Sequence, residues 1–175
     1  MNFRIKQDSI PDGFTVKLAE PADSHTIALL LKEAAGWLKE KGSAQWSELL
    51  EKGELDGLAA SIKLGEVFLF EKGGLAAGMV MLLPKPGDWD RSLWGDERES
   101  HSIYLHKLVT ANSFKGSGLG MKILAWAEQG IEFNGKDRIR LDCIETNPSL
   151  NSFYQSAGYL LKGTTKGFCK YEKSI

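Results

Sequence analysis

Residues 114–124 read FKGSGLGMKIL. Three glycines, Gly116, Gly118 and Gly120, fall within five positions, and a run with helical apolar spacing follows at once. Glycine takes up positive φ or admits a close approach, at a cost in conformational entropy each time. A helix N-terminus offers unpaired N–H groups and the positive end of its dipole, which together suit a phosphate. Two readings stand side by side. One is a tight strand-to-helix connection that needs glycine for sterics. The other is a nest of N–H groups from Lys115 to Met121 around a pyrophosphate, with Lys115 and Lys122 adding charge. The spacing G-x-G-x-G excludes both the P-loop and the dinucleotide fingerprint G-x-G-x-x-G.

Outward from this stretch, apolar spacing predicts a helix from about Gly118 to Asn134, with Leu119, Ile123, Leu124, Ala127 and Ile131 inward. Before it, SIYLHKLVT (Ser102–Thr110) reads as a strand, and after it so does RIRLDCIE (Arg138–Glu145). In the latter, alternation puts Ile139, Leu141 and Cys143 on one face and Arg140, Asp142 and Ile144 on the other. NPSLNSFYQSAGY forms a short helix with Asn147 as cap, Pro148 in its first position and Gly158 at its end. Two last strands lie near Tyr159–Lys162 and Phe168–Glu172.

Toward the N-terminus, FTVKLAE (Phe14–Glu20) alternates as a half-buried strand does. A helix follows between a cap at Asp23 and a stop at Gly42, with Ile27, Leu30, Leu31, Ala34 and Leu38 in one stripe. A second helical pattern runs from about Trp46 to Lys63. EVFLFEKG and LAAGMVMLLP are strands joined across Gly73–Gly74, a hairpin signal. KPGDWDRSLWGDERES, residues 85–100, reads as a long polar loop, a kind of segment that is often functional. The order βααββ–β–α–β–α–ββ predicts a single α/β domain over residues 1–175, with a mixed sheet.

The 175 residues carry a net charge of −1, which gives no support for nucleic acid or an anionic membrane as partner. Cys143 and Cys169, each inside an apolar run, read as core thiols of a reduced, cytoplasmic protein. No apolar run approaches the ~20 residues of a membrane span, and MNFRIKQDSIPDGF lacks the apolar core of a signal peptide. The pattern singles out no metal site.

With the glycine stretch placed between strand and helix, and NPSLNSFYQSAGY downstream, the sequence resembles the GNAT superfamily of N-acetyltransferases. Their signature Arg/Gln-x-x-Gly-x-Gly/Ala matches Lys115-Gly116-Ser117-Gly118-Leu119-Gly120 apart from its first residue. Their later motif, an Asn with a Tyr seven positions on and then a Gly-aromatic pair, matches Asn147, Tyr154, Gly158 and Tyr159.

The resemblance implies a twisted mixed sheet of about seven strands flanked by four helices, and acetyl-CoA as cofactor. It places acetyl-CoA where two neighbouring parallel strands splay, beside a bulge that frees the main chain of Leu108, Val109 and Thr110. The pyrophosphate is then expected on the amides of Gly116, Ser117, Gly118, Leu119, Gly120 and Met121 beside Lys115, with Asn147 and Asn151 facing the cofactor. Tyr154 stands where the family places the proton donor to the departing thiolate; its alternative is packing beside Phe153. Asp142, five residues before Asn147, is the expected base, reaching through water. Its alternative is a salt bridge with Arg140 or a nearby lysine, and Glu145, His106 and His101 are further candidates.

The resemblance also implies an acceptor site shaped by the first two helices and the long loop, with Trp37, Gln45, Trp46, Trp89 and Trp94 as walls. Asp88, Asp90, Asp96, Glu97 and Glu99 would form a rim that favours a cationic amine. The bland alternative is that these tryptophans pack on the sheet. The acceptor is a small-molecule or peptide amine, and the chain a monomer or homodimer. A non-catalytic acyl-CoA sensor, transfer of a longer acyl group, and transfer to a hydroxyl stay open.

Overall fold

The computed structural model describes residues 2–42, 56–97 and 100–175. In chain order the elements are β1 (Phe3–Ile5), β2 (Ser9–Ile10), β3 (Phe14–Leu18), α1 (Ser24–Glu40), α2 (Asp56–Leu64), β4 (Val67–Lys72) and β5 (Leu75–Leu83). Then come α3 (Asp88–Trp94), β6 (Ser102–Thr110), α4 (Leu119–Gln129), β7 (Ile131–Phe133), β8 (Arg138–Ile144), α5 (Pro148–Ser156), β9 (Leu160–Thr165) and β10 (Phe168–Ser174).

Eight strands form one sheet in the order β2-β3-β4-β5-β6-β8-β10-β9. Its pairs are antiparallel except β6 with β8, the parallel step that α4 crosses. Alternation along β4 divides the core. Phe68 and Phe70 join the larger cluster, with Leu119, Ile123 and Leu124 of α4 and Tyr154 of α5. Val67 and Leu69 face Ile27, Leu30 and Leu31 of α1 and Leu58 and Ile62 of α2. Trp126 sits between Phe68 and Phe70, at 5.2 and 5.3 Å, and its indole N–H donates to the Gln7 carbonyl at 2.8 Å. A buried Trp needs such a partner.

Several expectations need adjusting. The α/β class holds, with ten strands and five α-helices among the described residues rather than about seven and four. The helix expected to reach Asn134 stops at Gln129, because residues 131–133 pair with β1 in a separate two-stranded sheet. Neither three-residue strand has enough alternation to announce itself. The long polar loop contains α3, whose Gly87 N-cap N–H donates to Asp90 Oδ2 at 2.8 Å. The second helix is described from Asp56 onward; its expected start at Trp46, with Gln45, lies outside the described residues.

Candidate functional site

Strands β6 and β8 pair in parallel only over Ser102–Tyr104 and Arg138–Arg140. Beyond Tyr104 and Arg140 they part. A bulge accompanies the parting: the β5–β6 register shifts between Met79 and Met81, and Lys107 takes a φ of 47°. Such a bulge re-aims the backbone. Val109 pairs with Met79 and Thr110 with Gly78, so Leu108, Val109 and Thr110 form the segment between bulge and strand end. Gly78 is required here, since a Cβ on it would meet the Val109 carbonyl oxygen at 2.7 Å.

The glycine stretch follows directly. Gly116 and Gly118 have φ of 78° and 73°, and a Cβ on either would meet nothing within 4 Å, so their need is conformational. Gly118 caps α4, and the first helical bond runs from Lys122 N–H to Gly118 O at 3.2 Å. The amides of Leu119, Gly120 and Met121 therefore stand in the first turn, where no helical carbonyl serves them. Ser117 differs: its N–H and hydroxyl both donate to Phe114 O, at 3.3 and 2.6 Å. Gly120 lets α5 close on α4, for its Cβ position lies 3.4 Å from Phe153 Cζ.

Both lysines of the stretch have partners in the protein. Lys122 donates to Asp12 and to Ser117 O. Lys115 lies 3.6 Å from the centre of the Trp37 ring, and burial lowers its pKa against the opposing pull of Glu33 and Glu40. Trp37 thus belongs beside the glycine stretch rather than with the other tryptophans.

On α5, Asn147 caps the helix by accepting the Leu150 N–H at 3.0 Å. Asn151 donates to Ile144 O at 3.1 Å and Asn147 O at 2.8 Å, and accepts from the Tyr171 hydroxyl at 2.7 Å. This ties α5 to the end of β8 and the middle of β10. Tyr154 is 7% exposed, among Phe153, Tyr159 and Tyr171, and burial raises the pKa of its phenol. Cys143 and Cys169 are free thiols that face each other as register partners of β8 and β10. Burial pushes the Cys143 thiol up to about 12.

On the opposite face of β8, Asp142 accepts the Trp89 indole N–H at 3.2 and 3.3 Å. Burial raises its carboxyl above the ordinary range, although charge on His106 and the Trp89 bond pull the other way. The salt bridge to Arg140 weighed from the sequence does not form; Arg140 pairs with Glu172 at 2.8 Å and Glu97 at 2.9 Å. Asp90 does not stand at a rim: it is 2% exposed and bonds His106 Nε2 at 2.9 Å. Asp88 and Asp96 pair with Arg91. Glu99 lies outside the described residues.

His106 and Asp142 each lie two residues past the last β6–β8 pair, so alternation brings both to one face where the strands part. Ligand-type atoms of Asp90, His106 and Asp142 lie within 4.8 Å of one another, an N/O set that offers contacts to a proton or a cation. Asp90 was expected at the acceptor rim rather than in this cluster; the signal for its place is its position three residues after Gly87, where a helix cap places an acid. Trp89 joins this group, with its ring edge against Phe168 at 4.9 Å. Trp94 instead lies over Arg140 at 4.6 Å and Lys170 at 5.3 Å, packed on the sheet.

Residues 31–159 match the acetyltransferase (GNAT) family. Across 174 residues the chain is 45% identical to an uncharacterized N-acetyltransferase, YesJ, of Bacillus subtilis, covering 99% of this chain and 97% of that protein. A GNAT-family acetyltransferase structure from Listeria monocytogenes superposes with a TM-score of 0.81 at 36% identity, over 95% and 98% of the two chains. The PaiA N-acetyltransferase of Thermoplasma acidophilum, solved in complex with coenzyme A, superposes with a TM-score of 0.74 at 16% identity, over 93% and 99%. That last likeness bears on the fold alone.

Proposed function

The chain belongs to the acetyltransferase (GNAT) family, and on that premise we propose that it carries the acetyl group of acetyl-CoA directly to a primary amine of a small molecule or peptide. The observation that supports this reading best is the parting of β6 from β8 beyond Tyr104 and Arg140, with a glycine-rich helix start at one end and a carboxylate at the other. The Thermoplasma neighbour's coenzyme A is consistent with the same use of the cleft here.

The cofactor supplies an activated acetyl group on a thiol that can leave. The chain's own residues do the rest. First-turn amides of Leu119, Gly120 and Met121, with Gly116 and Gly118 in left-handed conformations, suit a pyrophosphate; Lys115 and Lys122 add charge once their present partners yield. Main-chain groups of Leu108 and Thr110 lie on the side that β8 vacates, where they orient the acyl arm and offer an N–H to a developing oxyanion, while those of Val109 turn to β5. Asn147 and Asn151 fix the start of α5 and thereby Tyr154.

An amine meets the protein as an ammonium and must lose a proton before it attacks. Asp142 takes it, directly or through one water, and its raised pKa brings it closer to the working pH of a base. Tyr154 returns a proton to the thiolate. Its burial keeps the phenol protonated until then. Trp89, fixed by Asp142 and Phe168, walls the acceptor side.

Tyr154→Phe tests the catalytic reading against an acyl-CoA sensor. Turnover should fall by about 10²-fold or more while acetyl-CoA still raises the melting temperature. Unchanged turnover would remove Tyr154 from the mechanism.

A further inference from the structure

The mechanism above uses Asp142 and leaves a buried ion-pairing carboxylate beside it without a role. Asp90 is 2% exposed, yet both of its oxygens are engaged: Oδ1 with His106 Nε2 at 2.9 Å, Oδ2 with the Gly87 N–H at 2.8 Å. The short helix α3 is thus tied by its own first turn into a position that presents one carboxylate oxygen to one ring nitrogen. Burying a carboxylate is costly unless it is paired and hydrogen-bonded, and a surface histidine needs no such support. The partner it holds stands two residues past the last β6–β8 pair, within 4.8 Å of Asp142.

We propose that His106, oriented by Asp90, is the acceptor to which the substrate's proton passes from Asp142, and that Asp90 is a positioning residue for it. The proposal rests on the acetyl-transfer reading for its substrate, but its geometry stands apart from that reading. A carboxylate oxygen 2.9 Å from Nε2 favours the ring proton there, which leaves the Nδ1 lone pair as the basic site in the proposal. An ammonium N–H bond breaks, its proton moves to an Asp142 oxygen and from there, through a bridging water, to the free ring nitrogen of His106, and the amine lone pair attacks the acetyl carbonyl carbon. The C–S bond breaks, Tyr154 protonates the leaving thiolate, and the second amine proton passes by the same carboxylate to solvent, from which the Tyr154 phenol is restored.

The imidazolium so formed lies near two carboxylates, Asp90 at 2.9 Å and Asp142 within 4.8 Å, which stabilise it. Among the described residues, Arg140 of β8 pairs with Glu97 and Glu172, and Lys170 of β10, the register partner of Asp142, donates to Leu93 O at 3.0 Å. Met81 is the β5 residue opposite His106, and it is apolar.

Asp90→Asn gives the discriminating test, because it keeps shape and the Gly87 bond while offering His106 an N–H in place of a lone pair. In ¹⁵N spectra of the imidazole, the wild type should show the Nε2–H tautomer and the variant the Nδ1–H tautomer. A wild-type Nδ1–H tautomer, or no change in the variant, overturns the assignment of Asp90. For His106, thiol release from acetyl-CoA is followed with a polyamine, an amino acid, an aminoglycoside and a peptide with a free N-terminus. His106→Gln should lower the amine-stimulated rate by about 10²-fold or more, with the acetyl-CoA-induced melting shift intact. A variant within twofold of wild type overturns the relay while leaving acetyl transfer standing. If no amine stimulates wild-type release, the acetyl-transfer reading fails, and the tautomer measurement alone decides whether Asp90 orients His106.

Discussion

The Trp89 indole N–H points at both carboxylate oxygens of Asp142, at 3.2 and 3.3 Å, and so joins the short helix between β5 and β6 to the strand on the far side of the cleft. One residue came from a stretch that reads as loop, the other from the polar face of a buried strand. Their meeting makes the carboxylate a defined object, with a donor on one side and His106 on the other.

Trp89→Phe should keep the ring edge against Phe168 and lose the donor. The indole bond favours the ionised carboxylate, so its loss should move the acidic limb of the pH–rate profile up by about one pH unit, the lower end of the about 1.5–3 kcal/mol of a hydrogen bond to a charged group. An unshifted limb would mean that Asp142 does not set it.

Asp142→Asn separates stability from activity. Burial raises this carboxyl above its ordinary 3.8, so the folded protein binds the proton more tightly than the unfolded chain does. Stability from this group is then present below 3.8 and is lost as pH rises from there through the folded value. The variant should melt higher than wild type at neutral pH, and the difference should vanish below pH 3.8. A variant that melts lower at neutral pH would contradict the sign.

Gly78→Ala addresses the cleft from its floor. The new Cβ would stand 2.7 Å from a backbone oxygen of Val109, which no rotamer change relieves. Thermal melts should show a loss of about 1–3 kcal/mol, the usual range for overpacking, together with a raised KM for acetyl-CoA. A normal KM would place the Val109 segment outside the cofactor's reach.

Gly118→Ala tests the helix start. Its Cβ meets nothing, so the expected cost of about 1–2 kcal/mol is that of the left-handed backbone alone. If the first-turn amides hold the pyrophosphate, affinity for acetyl-CoA should fall by more than stability does. Equal affinity would argue for the plain steric reading of the glycines.

Much of this was legible in the sequence. Glycines, an Asn cap and a Tyr at fixed spacing announced the helix starts and the family, because backbone conformation and capping depend on a few local residues. Alternation in RIRLDCIE separated Asp142 from the core face correctly. What stayed hidden depended on distant pairing: the two three-residue strands, the end of α4 at Gln129, and α3 inside a polar stretch. Asp90 looked like one acid among five on a rim because nothing local says that His106 lies across from it. Trp37, expected as an acceptor wall, lies against Lys115, a contact that nothing local announces.

The most direct measurement is thiol release from acetyl-CoA across the four amine classes, with wild type and Asp142→Asn side by side. At least one amine should accelerate release saturably in the wild type, and the variant should lose that acceleration by about 10²-fold or more while acetyl-CoA still raises its melting temperature. If acetyl-CoA raises the melting temperature of the wild type but no amine accelerates release, the protein binds the cofactor without the proposed chemistry, and the account is contradicted.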